Sequence, residues 1–102
     1  MNCIIHIYES IRAKHLLSKA IIAEAKEIIT NLGYYKQTGR PPIDPEFVLQ
    51  AVYYIARTEI PWGALPKCFG PISTLHAAFQ RLHDLGFFDN FWLALLEKYD
   101  KK

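Results

Sequence analysis

The sequence has no marked excess of charge of either sign. Twelve Lys and Arg stand against ten Asp and Glu, a formal net charge of +2, whereas dedicated nucleic-acid binders usually carry a strong basic surplus. The balance permits a polyanionic partner without demanding one. Cysteine is scarce as well. Cys3 and Cys68 are the only two, too few for a disulfide framework and compatible with a reducing compartment. The five glycines form no phosphate-cradling loop. Long apolar runs are missing: Met1 to Tyr8 has no basic stretch before it and meets Glu9, Arg12 and Lys14 at once. That pattern argues against a signal peptide or a membrane span and for a cytoplasmic protein.

What is present is apolar. Hydrophobic residues make up 51% of 102, enough for one globular domain with a real core. The patterning is helical throughout and the expected class is all-α. Residues 3–8 read equally as an extended segment or a helical lead-in. From Ser10, a potential cap, the periodicity predicts a long helix over 10–32. Leu17, Ala20, Ile21, Glu24 and Ile28 lie on one side of it, with Ile22, Ala23 and Ile29 widening the face. Asn31-Leu32-Gly33 closes it. The polar, proline-stiffened stretch from Lys36 to Pro42 is the clearest hinge. It divides an N-terminal helical extension, 1–38, from a second part, 39–102.

Asp44 followed by Pro45 is a strong start signal for a helix over 45–58, with Val48, Ala51, Val52 and Ile55 as its stripe. Leu49 and Ala56 widen that stripe, and Phe47 and Tyr54 extend its other edge. A short helix is expected over 61–66, bounded by Pro66, and a longer one over 73–85, capped by Ser73 or Thr74 and closed by Gly86. A last helix is expected over 89–99.

The short helix, the Gly70-Pro71 turn and the longer helix form a candidate helix-turn-helix, in which one helix braces a second that enters the major groove. On this reading Trp62, Leu65 and Phe69 pack against Leu75, Ala78, Phe79 and Leu82. Ser73, Thr74, His76, Gln80, Arg81 and His83 are left to face DNA. Helix pairs joined by a Gly turn also occur in many domains that never touch DNA.

Further motifs point one way. Gly39-Arg40-Pro41 leads into Phe47-Val48-Leu49-Gln50-Ala51-Val52-Tyr53-Tyr54-Ile55-Ala56-Arg57-Thr58. Ile60-Pro61-Trp62-Gly63-Ala64-Leu65-Pro66, Phe69-Gly70-Pro71-Ile72-Ser73-Thr74-Leu75 and Phe79-Gln80-Arg81-Leu82 follow in order. This series, over about 39–96, resembles the N-terminal domain of bacterial IS4/IS5-like insertion-sequence transposases. The resemblance implies a helix-turn-helix module that helps bind terminal inverted repeats. It also implies that strand chemistry belongs to a separate RNase H-like domain with three metal-binding carboxylates, so that this chain is a DNA-binding module or a detached or relic copy, not itself an enzyme. Two positions depart from the family pattern: Glu59 stands where a Gly is usual, and Gly63 where an Arg is usual. The helix after the turn, typically Arg-rich in the family, keeps Arg81 as its only permanent cation, and fewer cations mean weaker DNA binding.

Other candidates weigh as follows. Arg40, beside two prolines, is either a basic arm for phosphate or minor groove or a solvated linker cation. Lys67 is a further phosphate candidate, as are Lys36 and Arg57, although Arg57 is equally suited to pairing with an acid. Trp62 reads as a hydrophobic anchor before it reads as a base-stacking platform. Cys3, His6, Cys68, His76 and His83 match no zinc spacing, and no cofactor or catalytic trio can be nominated. Asp84 and Asp89, flanking Gly86, read as helix caps. The rival reading is a homo-oligomeric protein-interaction domain that has lost DNA binding. It rests on the aromatic surplus at Tyr34-Tyr35, Tyr53-Tyr54 and Phe87 to Trp92. A homodimer suits both readings, since two copies present two reading helices to double-stranded DNA.

Overall fold

Residues 10–32 do not form one long helix. The computed structural model describes residues 4–36 and 42–99, and here the chain makes α1 (Ile4–Ser10), a single 3-10 turn (Ala13–His15) and α2 (Lys19–Asn31). Ser10, expected to open a helix, instead ends one. Ser18 is the true cap: its backbone is extended, with ψ 159°, and its Oγ accepts from the Ile21 amide at 3.3 Å. The break has a tertiary cause in α3 (Pro45–Thr58). There the fully buried Gln50 takes both backbone groups of Leu17, its Oε1 accepting from the Leu17 amide at 2.8 Å and its Nε2 donating to the Leu17 carbonyl at 3.2 Å. Those groups are then satisfied without a helix, and the buried Leu17 stays in the core. The inward face of α2 also differs from expectation. Ile21, Ile22, Ala25 and Ile29 are buried, while Ala20 and Ala23 face solvent.

Helix α3 starts as its cap predicts, with Asp44 Oδ1 accepting from the Glu46 amide at 2.9 Å and Pro45 in the first turn. It is the centre of the molecule. Phe47, Val48, Leu49 and Ala51 are buried between α2 on one side and α4 (Ile72–Asp84) on the other. The chain then closes through a helical run, with a π turn at Phe88–Trp92 followed by α5 (Leu93–Tyr99), and α5 packs back on α2. Helix α1 packs on a 3-10 turn at Lys67–Phe69. Every regular element among the described residues is helical, so the class is all-α. No helix among them is long and apolar enough to cross a membrane.

Apolar residues on both sides of the proline-rich segment share this one core: Ile21, Ile29 and Tyr34 before it, Val48, Leu75 and Leu82 after it. Burying each of the larger side chains contributes about 1.5–3 kcal/mol. The exposed ion pairs that tie α2 to its neighbours, Lys26–Asp44 at 3.3 Å and Lys98–Glu24 at 3.1 Å, contribute about 1 kcal/mol or less each.

Candidate nucleic-acid interface

The expected short helix over 61–66 is reduced to one 3-10 turn, Trp62–Ala64, and a second, Lys67–Phe69, follows Pro66. Pro66 is the reason. The residue before a proline is driven out of the helical region, and Leu65 is extended at φ −64°, ψ 134°. Gly70 then takes φ 111°, ψ 179°, a conformation that side-chain-bearing residues rarely adopt. It turns the chain into Pro71, and α4 begins at Ile72. Neither Ser73 nor Thr74 caps it: Pro71 occupies the cap position and no side chain accepts from the first turn. Both residues instead lie exposed within that turn, beside amides that have no helical partner of their own.

The apolar candidates differ in burial. Leu65, Phe69, Leu75 and Leu82 are buried, Ala78 nearly so. Trp62 and Phe79 are half-buried and meet edge to face with ring centroids 5.6 Å apart. The strut against which α4 leans is the long helix α3, with Trp62 of the first turn set against His76 and Phe79.

The candidate DNA contacts fall into three groups. Ser73, Thr74, His76, Gln80, His83 and Lys67 are all exposed. On helical periodicity Ser73, His76, Ala77, Gln80, His83 and Asp84 share the outward side of α4. His76 stands against Trp62 at 5.3 Å. Gln80 Nε2 donates to Asp84 Oδ1 at 3.2 Å, and His83 Nδ1 lies 3.8 Å from the same oxygen. This face therefore carries one carboxylate, two histidines and no permanent cation.

Arg81 is not on that face. It is half-buried on the flank of α4, where its Nε donates to the Tyr34 carbonyl and its Nη2 to the Gly33 carbonyl, both at 2.9 Å. Its guanidinium also lies 5.8 Å from the Tyr34 ring centroid. Arg40, the remaining candidate, lies outside the described residues.

Sequence reasoning gave no structural role to three positions. Gln50 sits at helical spacing between Phe47 and Tyr54, and a polar residue inside an apolar edge was the available signal. Its Nε2 also donates to the Tyr8 hydroxyl at 3.0 Å, and that hydroxyl donates to Glu46 Oε2. Burial and the Glu46 carboxylate push the Tyr8 phenol up to about 12. Tyr34, read only as one of an aromatic pair, is completely buried, which raises its phenol strongly, and its hydroxyl donates to the Ile43 carbonyl at 2.7 Å. Glu59 ends α3 in the left-handed region, at φ 60°, ψ 29°. No grouping of three or more His, Cys, Asp or Glu able to hold a metal ion occurs among the described residues.

A family model described as "Putative transposase of IS4/5 family (DUF4096)" matches residues 19–92. The match opens on the first residue of α2, earlier than the motif series, and covers all the candidate contact residues. No curated protein and no solved structure matches the chain.

Proposed function

The chain belongs to the IS4/5 family of transposases, and from that premise we propose that it binds duplex DNA weakly without catalysing strand transfer. The observation that carries this reading is the amino end of α4. Three first-turn amides without a side-chain cap and the exposed Ser73 and Thr74 make a positive end on a 13-residue helix, and the exposed Lys67 lies five residues earlier in the chain than Ile72. Arg40 is the second phosphate contact. With Arg81 held by backbone carbonyls, Arg40 and Lys67 are the two main cations, and log affinity should fall against log salt with a slope of about −2. His76, His83 and Gln80 add hydrogen-bonding capacity toward a base edge or phosphate. Strand-transfer chemistry, on the family pattern, belongs to a carboxylate trio in a separate domain.

A second reading, a homodimeric interaction domain without DNA binding, is favoured by one specific observation: the outward face of α4 lacks a permanent cation. Exposed apolar side chains at Leu93, 68% accessible, and Ile72, 39% accessible, point the same way. The experiment is a salt series on mixed-sequence duplex DNA with the purified protein, run alongside sedimentation. Binding with a slope near −2, lost in Arg40→Ala with Lys67→Ala, supports the DNA reading. No binding at low salt by a stable dimer supports the other.

A further inference from the structure

The small net charge of +2 hides an uneven distribution. Exposed acids gather where the chain closes: Glu27 on α2, Asp84 at the carboxyl end of α4, Asp89 on the π turn and Glu97 on α5, elements packed in series. Exposed cations gather elsewhere. Arg12 and Lys14 lie on the run between α1 and α2, Arg57 in the last turn of α3 and Lys67 on the 3-10 turn Lys67–Phe69. Packing brings these three segments together. The His15 ring meets Tyr54 of α3 edge to face at 5.6 Å, and Tyr54 meets Phe69 at 5.2 Å. Helix α1 also packs on the Lys67–Phe69 turn, and the Ala13–His15 turn packs on α3. Each of the four cations stands within three residues of one of these rings. None of them pairs with an acid among the described residues, whereas Lys26, Lys98 and Arg81 are all engaged. Arg57, equally suited by its sequence setting to an acid, lies 5.8 Å from the Tyr53 ring centroid instead.

We infer that this surface is a second track for the DNA backbone, with Arg12, Lys14 and Arg57 contacting phosphates, an inference that rests on the DNA reading above and extends it. Lys67 is common to this surface and to the contacts already proposed, which makes the two continuous. Cations spread over three segments match a line of phosphates better than a single small anion. The separation of charge also turns the molecule toward a polyanion before contact, with its acidic side held away. Glu9 and Glu59 are exposed on the same side of the chain's charge balance, next to Arg12 and Arg57 in sequence, and they keep the surplus modest. Arg12 and Lys14 precede Lys19, where the family match opens, so the track adds to the family domain a contact that the matched region does not contain.

The test is the salt series on mixed-sequence duplex DNA with the full chain, read by fluorescence anisotropy. Three further phosphates steepen the slope by about 2.7 beyond the value given above. Arg12→Ala with Lys14→Ala is expected to make the wild-type slope shallower by about 1.8, and Arg57→Ala by about 0.9, with thermal unfolding unchanged. Arg12→Gln with Lys14→Gln, which keeps more of the aliphatic stems, serves if the alanine pair melts early. Lys26→Ala with Lys98→Ala removes the same charge elsewhere and is expected to leave the slope as it is. An equal loss of slope in that control makes net charge the cause and overturns the track. Unchanged slopes in the Arg12, Lys14 and Arg57 variants, with the wild type still bound, overturn it too and leave the α4 contact standing. Failure of the wild type to bind DNA at low salt overturns the DNA reading and the track together. Vesicles of phosphatidylserine in phosphatidylcholine are the comparison: binding to them and not to DNA, lost in Arg12→Ala with Lys14→Ala, assigns these cations to a lipid surface and overturns the track.

Discussion

Replacing Glu59 by Gly should stabilise this protein by about 1 kcal/mol. Glu59 follows the last residue of α3 with φ 60° and ψ 29°, and a side chain bearing a Cβ in that region costs about 1–2 kcal/mol. The residue is exposed and accepts no hydrogen bond from the described residues; its amide donates to the Ile55 carbonyl at 2.7 Å, a bond glycine keeps. Its carboxylate also sits at the negative end of α3, an unfavourable placement of about 0.3–1 kcal/mol. Against these gains, glycine loosens the unfolded chain by about 0.4–1 kcal/mol. The net is a rise in melting temperature of about 4–8 °C for a domain of this size. Two further variants separate the terms. Glu59→Gln removes the charge and keeps the strain, so it should gain only about 0.5 kcal/mol. Glu59→Ala should match Glu59→Gln and fall short of Glu59→Gly. Thermal unfolding followed by circular dichroism reads all three. Glu59→Ala stabilising as much as Glu59→Gly would refute the strain argument, because the two differ chiefly in the Cβ.

Gln50→Leu leaves the buried Leu17 amide and carbonyl without their partner and should cost about 2–5 kcal/mol; an unchanged urea midpoint would contradict the role given to that amide. Tyr8 is an acid whose folded pKa is raised from 10.0 to about 12, so its contribution is complete below pH 10 and is lost as pH climbs through 12. Tyr34 is shifted in the same direction. Stability should therefore decline across that alkaline window, and less so in Tyr8→Phe, as measured by urea midpoints at pH 8 and pH 11. A Cβ at Gly63 meets nothing within 4 Å. Gly63→Arg, restoring the family's residue, should leave stability within about 0.5 kcal/mol and steepen the DNA salt slope by about 0.9.

The cytology of short-range signals was legible where the physics is local. Asp44-Pro45 opened α3 because a carboxylate and a fixed φ act within one turn of the helix they start. Gly33 and Gly86 closed helices for an equally local reason. The all-α class followed from periodicity alone, which reports what must be buried. The family, too, could be read from an ordered series of short motifs.

Where the chain must bend, and what a charged side chain does, depended on residues distant in sequence. Leu17 leaves the helix because Gln50, 33 positions away, captures its backbone groups, and no local preference encodes such a capture. Arg81 looked like a groove-facing cation, and helical spacing places it close enough to the exposed side of α4 to allow it. Its fork turned inward because α2 ends with two carbonyls within reach, 47 and 48 residues upstream. Periodicity assigns a residue to a face, but only the packed structure supplies the partner that decides whether its charge meets solvent or backbone.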